Sequence, residues 1–274
     1  MTAIQPCALL LLVGPDWCLE AVSANAGVLG KGDPDSLLGQ PLTVLLDSQE
    51  IHQLRNHMAW LGGDDSRVQD YGVSWGGRGG TWDVQASRDG DSFLIEAETS
   101  VEGRLHDAIG MARSLMDRVD DGDFTTIATQ GLRQLRALTG FDRLSLCDRS
   151  GTVIAVSERS NLPPIGAECG NGRTCFPAVV ADSSAEPVPL LGEIAESALQ
   201  HAAFAEPDSR QRERLCAMGA SGAMTLPLLI DGEWVGALNA HHSSPRRCGA
   251  ERRSLAGLFI ERLGERMTRC GWKP

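Results

Sequence analysis

No stretch of this sequence reaches the about 18 consecutive apolar residues that a membrane-spanning helix needs. The apolar opening, residues 1–13, has no basic segment before it and is cut short by Gly14-Pro15-Asp16. A secretory leader is therefore not expected, and the run reads as a buried strand entering a turn. Basic charge is in deficit: 25 Lys and Arg against 36 Asp and Glu leave a net charge of −11 over 274 residues. That balance argues against nucleic acid and anionic membrane surfaces as partners. Internal repeats and low-complexity linkers are missing. Gly76-Gly77-Arg78-Gly79-Gly80 lacks the Lys-Ser/Thr of a P-loop and reads as a hairpin tip. No nucleophile–base pair, kinase motif or cyclic-dinucleotide motif is found, so no enzyme is expected. These absences leave a cytoplasmic protein of one large or two ordinary domains, with apolar residues enough for a full core.

Cysteine, by contrast, is abundant. Eight occur, at positions 7, 18, 147, 169, 175, 216, 248 and 270. In a reducing compartment a disulfide framework is not expected. Buried thiols are one reading and a metal or redox site the other.

Periodicity divides the chain near residue 103. Residues 7–13 and 18–23 read as strands of a hairpin, 47–61 as a helix opened by Asp47 or Ser48, and 71–75, 81–87 and 92–98 as antiparallel strands. Helices are expected over 104–119, 125–138, 193–204, 209–218 and 251–269. Strands are expected over 143–147, 152–156, 224–230 and 234–240, the last two joined by Asp231-Gly232, a strong hairpin signal. Helices 104–119 and 251–269 carry apolar positions beyond one core-facing stripe, which suits either a homodimer bundle or packing on the sheet.

Several segments resemble the photosensory core of bacterial phytochromes. Ile4-Gln5-Pro6 before an apolar strand, Val22-Ser23-Ala24-Asn25 and Leu37-Leu38-Gly39-Gln40-Pro41-Leu42 resemble its PAS domain. Phe141-Asp142-Arg143, Glu186-Pro187-Val188-Pro189-Leu190, Met218-Gly219 and His241-His242-Ser243-Ser244-Pro245 resemble its GAF domain. The resemblance implies an α+β chain: a PAS domain over 1–103, then a GAF domain over 104–274. Each would be an antiparallel sheet with flanking helices, the two joined by a phytochrome-type knot. The implied ligand is a linear tetrapyrrole such as biliverdin. The sequence departs from that pattern. Only Met1, Thr2 and Ala3 precede the Ile-Gln-Pro where an attachment cysteine would stand about a dozen residues upstream. Arg210 and Gln211 replace the plant-type Cys-His pair, and Cys147 and Arg214 stand at pocket tyrosine positions. His241 survives.

The cysteines suggest a replacement. Cys169 and Cys175 flank a glycine-rich loop able to wrap an anionic cluster. Within the resemblance, Cys7 and Cys216 converge on the same region. The expectation is a [4Fe–4S] cluster held by Cys7, Cys169, Cys175 and Cys216, with Cys147 and Cys248 as substitutes and zinc or biliverdin as alternative cofactors. The function expected is a phytochrome-like sensor reporting redox state, oxygen or light to a separate signalling partner. The alternatives are a bilin photoreceptor with unusual attachment and a ligandless PAS–GAF adaptor. No chain beyond the GAF helix carries a PHY domain or kinase, so the output is expected through a partner or a change in dimerisation.

Overall fold

The computed structural model describes residues 2–30, 33–62, 66–76, 80–101, 105, 107–159, 178–200 and 202–274. In chain order its first hundred residues give β1 (Ala3–Ile4), β2 (Ala8–Val13), β3 (Leu19–Ser23), α1 (Ser48–Met58), β4 (Arg67–Val73), β5 (Trp82–Asp89) and β6 (Ser92–Thr99). Then come α2 (Ala108–Met116), α3 (Phe124–Thr139), β7 (Arg143–Asp148), β8 (Val153–Glu158), β9 (Val179–Val180), β10 (Val188–Gly192) and α4 (Glu196–Gln200). The chain closes with α5 (Ser209–Ala217), β11 (Gly222–Ile230), β12 (Glu233–His242) and α6 (Ala250–Arg269).

The chain forms two compact units, one of residues 1–100 with 185–206, the other of 101–184 with 207–274. A contiguous division at residue 103 does not anticipate that 185–206 joins the first unit. There, β10 sits between β1 and β3 in a seven-stranded sheet ordered β1-β10-β3-β2-β6-β5-β4. The all-apolar β2 is buried at every position. Leu9, Leu11 and Val13 enter a core with Leu29, Leu46, Leu54 and Ile95. Leu10 and Leu12 face the other way, packing with Leu94, Leu190 and Ala202. A strand covered on both faces cannot afford polar alternation, which explains the continuous run. Helix α1 starts where the sequence says it must: Asp47 caps Gln49 and Glu50, and Glu50 returns a bond to the Asp47 N–H.

The second unit is a five-stranded antiparallel sheet in the order β8-β7-β12-β11-β9. Helices α3 and α6 pack on one face of it, with Ile127, Leu132, Leu135, Leu144, Leu146, Leu238, Phe259, Ile260 and Leu263 as core. Asp231 (φ 52°) and Gly232 (φ 79°) make the turn between β11 and β12 with left-handed backbone at both positions, as a two-residue hairpin requires.

Candidate functional site

Period-two alternation sorts the second sheet into an apolar and a polar face. On β7, Leu144 and Leu146 point to the helices, so Arg143, Ser145 and Cys147 point away. On β12, Leu238 and Ala240 face the helices, which leaves Asn239 and His241 beside Arg143 and Ser145. The register confirms the neighbours: His241 opposite Arg143, Asn239 opposite Ser145, Ala237 opposite Cys147. Thr225 of β11 lies opposite Asn239 and bonds its carboxamide oxygen at 3.1 Å.

This polar face is not a solvated one. Arg143 (2% exposed), Ser145 (0%), Cys147 (1%) and Asn239 (6%) are all buried. The Arg143 Nε reaches the half-exposed Glu158 on β8 at 3.1 Å. Its Nη2, and the Nδ1 of His241, are sealed from solvent and meet no hydrogen-bond partner among the described residues. Burial, helped by the charge of Arg143, pulls the His241 pKa down to about 4, so the ring is neutral at pH 7. Beside them Asp142 fixes the strand end by accepting the Ser243 backbone N–H at 3.0 Å and hydroxyl at 2.8 Å. Burial pushes the Asp142 pKa up. The Ser243 bonds and the His242 and Arg159 charges outweigh it and hold the carboxyl below its ordinary range. Buried polar groups normally find partners, which sets these two nitrogens, unmet among the described residues, apart from the rest of the face.

The cysteines are distributed differently from expectation. Cys169 and Cys175 lie outside the described residues. Cys7 belongs to the first unit and is partly buried; Cys216 belongs to the second and is exposed on α5; neither is in a disulfide. Contrary to the expectation of reduced thiols, Cys147 is disulfide-bonded. Cys248 sits in the helix-side core, so the two substitute ligands occupy opposite faces of one sheet. Among the described residues no three His, Cys, Asp or Glu side chains gather as a metal site.

Residues 123–266 match the GAF domain family and residues 1–100 match the PAS fold. The chain belongs to the GAF domain family, with a PAS domain before it and the architecture of a phytochrome PAS–GAF core. It is 26% identical to phytochrome-like protein Cph1 of Synechocystis over 93% of this chain and 38% of that protein. It is 23% identical to cyanobacterial phytochrome B of Nostoc over 92% of this chain and 37% of that one. The chain thus spans under two fifths of these relatives. Its fold superposes on the chromophore-binding domain of the unusual bacteriophytochrome RpBphP3 of R. palustris with a TM-score of 0.80, at 21% identity, covering 98% of this chain and 95% of that one. The chromophore-binding domain of Stigmatella aurantiaca phytochrome P1 gives 0.79 at 21%, covering 96% and 95%.

These likenesses overturn the iron–sulfur cluster expected as the cofactor of this chain. The similar proteins are phytochromes and chromophore-binding domains, and the sealed groups here are an arginine and an imidazole. A cluster needs thiolates, whereas Cys147 is oxidised and Cys248 is enclosed by apolar side chains. The sequence reading missed Arg143 as a site residue. Its signal was the Arg-Leu-Ser-Leu-Cys alternation, a strand with one apolar face and one polar.

Proposed function

We propose that this chain is the pigment-holding PAS–GAF part of a phytochrome-like sensory protein and that the polar face of its second sheet takes a linear tetrapyrrole such as biliverdin. The supporting observation is the side-by-side pair Arg143 and His241, each with a sealed nitrogen unmet among the described residues. A buried polar group left unpaired costs about 1–3 kcal/mol. A tetrapyrrole removes that cost, having carboxylates that accept from a guanidinium and ring groups that pair with an imidazole. Arg143 holds the acidic end, while Ser145, Asn239 and Thr225 line the face. His241 stays uncharged, so it does not repel a protonated pigment. The bound pigment supplies light absorption; the chain supplies position and exclusion of water. Because Arg210 stands where a plant-type attachment cysteine would be, α5 offers no anchor there.

We infer further that the chain is a sensor and not an enzyme. Its signal passes to a partner or through dimerisation. No residue of α2 is buried, and Ile109 (64% exposed) and Leu258 (41%) leave apolar surface on α2 and α6, which supports a homodimer there. The pairing of Ala3–Ile4 with Val188–Pro189 supports a knot. The decisive experiment is a biliverdin titration of the purified protein followed by absorption. A red band is expected, shifted or weakened in His241→Gln. A folded protein that gives no band at any excess of biliverdin refutes the reading.

A further inference from the structure

The first unit carries a hydrogen-bonded row that the pigment reading does not use. Gln69 of β4 lies opposite Gln85 of β5, and Gln85 lies opposite Glu96 of β6. Directly opposite residues of an antiparallel sheet share a face, so the three side chains form one line across about 10 Å of sheet. Burial grows along it: Gln69 is exposed, Gln85 half-buried and Glu96 buried. Tyr71, two residues on from Gln69 and the only tyrosine in the chain, donates its hydroxyl to the Gln69 carboxamide oxygen. Gln69 Nε2 donates to Gln85 Oε1 at 3.1 Å, and Gln85 Nε2 donates to Glu96 Oε2 at 3.4 Å. That same oxygen accepts the Ala203 N–H at 2.8 Å, while Oε1 accepts the Phe204 N–H at 3.0 Å. We propose that this row is a relay: the hydroxyl of Tyr71, on the edge strand β4, governs how firmly Glu96 holds residues 203–204. The proposal is independent of the pigment reading.

Glutamines near a sheet edge alone would mean only a solvated surface. Two features point further. The direction of every bond in the row is forced. A carboxylate that faces N–H donors only accepts. Gln85 therefore turns its NH2 to Glu96 and its oxygen to Gln69. Gln69 in turn presents its NH2 to Gln85 and its oxygen to Tyr71, which must donate. Reversing either amide sets oxygen against oxygen or nitrogen against nitrogen at a neighbour, so one order alone is compatible with the grip of Glu96. An acceptor that draws the Tyr71 hydroxyl away from Gln69 loosens the first amide, and by reciprocity it competes with that grip. The second feature is where the row ends. Edge strand β4 closes one side of the sheet, while the far end of the row reaches the backbone of the inserted segment. There the Phe204 carbonyl accepts the Gln5 N–H at 2.9 Å, and Phe204 stands three residues before Pro207, where the chain passes into the second unit. The relay thus ties a half-exposed phenol to the last residues of 185–206.

The test is amide hydrogen exchange of the full chain, read by NMR at Ala203 and Phe204, in wild type, Tyr71→Phe, Gln85→Met and the double variant. Tyr71→Phe keeps the ring and removes only the hydroxyl. Each bond in such a chain strengthens the next by about 10–30%, so exchange at both amides should be about two- to fourfold faster. Gln85→Met cuts the row, and in that background Tyr71→Phe should add nothing. The amides of β10, paired with β1 and β3, should keep their rates in Tyr71→Phe. Should Gln85→Met fail to fold, Gln69→Met cuts the row at its exposed position and takes its place. Unchanged exchange at 203–204 in Tyr71→Phe overturns the proposal. The same acceleration with and without the cut overturns it too, because the hydroxyl then acts by another route. Equal acceleration along β10 overturns it as well, since that is a general loss of stability.

Discussion

His241 and His242 are adjacent in sequence and opposite in role. Alternation predicts that one faces inward and one does not. In the structure His241 shares the polar face with Arg143, while His242 stacks edge-on against Phe141 and bonds the Ser244 carbonyl through Nδ1 at 3.0 Å. The difference has a pH signature. The His241 pKa falls from 6.5 to about 4 in the folded protein. Between those values the unfolded chain binds a proton that the native chain refuses, so stability is full above pH 6.5 and declines as pH falls toward 4. The shift sets an upper bound of about 3 kcal/mol on the loss. Urea denaturation of the pigment-free protein at pH 7 and pH 4.5 should show wild type losing more stability than His241→Gln; equal losses in both would contradict a buried neutral imidazole. His241 was singled out through the resemblance, and the structure sets it opposite Arg143. Arg143 was not singled out, because a buried arginine is rare enough that a sequence reading assigns it to a strand end. The oxidation state of Cys147 was illegible for another reason: a disulfide is a meeting of distant residues, and spacing does not report it.

Elements with strong local signals were readable almost to the residue. Helix α3 begins at Asp123, whose carboxylate caps the Thr126 N–H, and ends at Gly140 with φ 68°. The Asp231-Gly232 turn fixed the β11–β12 hairpin. The two-residue strands β1 and β9 carry no period, and β10 contains Pro189, which argues against an interior strand. These were therefore invisible to pattern. The packing of α3 on α6 was invisible too, although one residue announces it afterwards. A Cβ placed on Gly131 would lie 2.5 Å from both Leu263 methyls, and Leu263 is fully buried. Gly131→Ala thus sets two effects against each other. Helix propensity improves by about 1 kcal/mol, while overpacking a closed core costs about 1–3 kcal/mol. The clash is the larger, so the variant should be less stable by up to about 2 kcal/mol, measured as a lower denaturant midpoint at an unchanged m-value. A rise in midpoint would show that Leu263 has room to move.

At the scale of the whole molecule, the chain leaves the second unit's sequence at 185 and returns at 207 after completing the first. Residues 185–206 are not an ornament on that unit. Strand β10 pairs with β1 on one side and β3 on the other. Leu190 and Ala202, with Val188, Ile194 and Leu199 beside them, cover Leu10, Leu12 and Leu94. Buried Glu96 of β6 anchors the segment by accepting the backbone N–H groups of Ala203 at 2.8 Å and Phe204 at 3.0 Å. The continuous apolar run of β2 was readable from sequence as a strand covered on both faces. What covers its second face was not visible, because Leu190 of the covering segment comes 96 residues after Leu94 and 180 after Leu10, the residues it packs on. The consequence is testable. A fragment of residues 1–100 should expose an apolar face, strand β3's free edge and a Glu96 carboxylate stripped of its two backbone donors, and so should aggregate or unfold without a cooperative transition. Rejoining 185–206 to it through a flexible Gly/Ser linker should restore a cooperative melt followed by circular dichroism. Glu96→Ala in the rejoined protein should weaken it again by about 2–3 kcal/mol, since two buried N–H groups lose a charged acceptor. A soluble 1–100 fragment that melts as sharply as the rejoined one would mean that the PAS fold closes its sheet without help from the later segment.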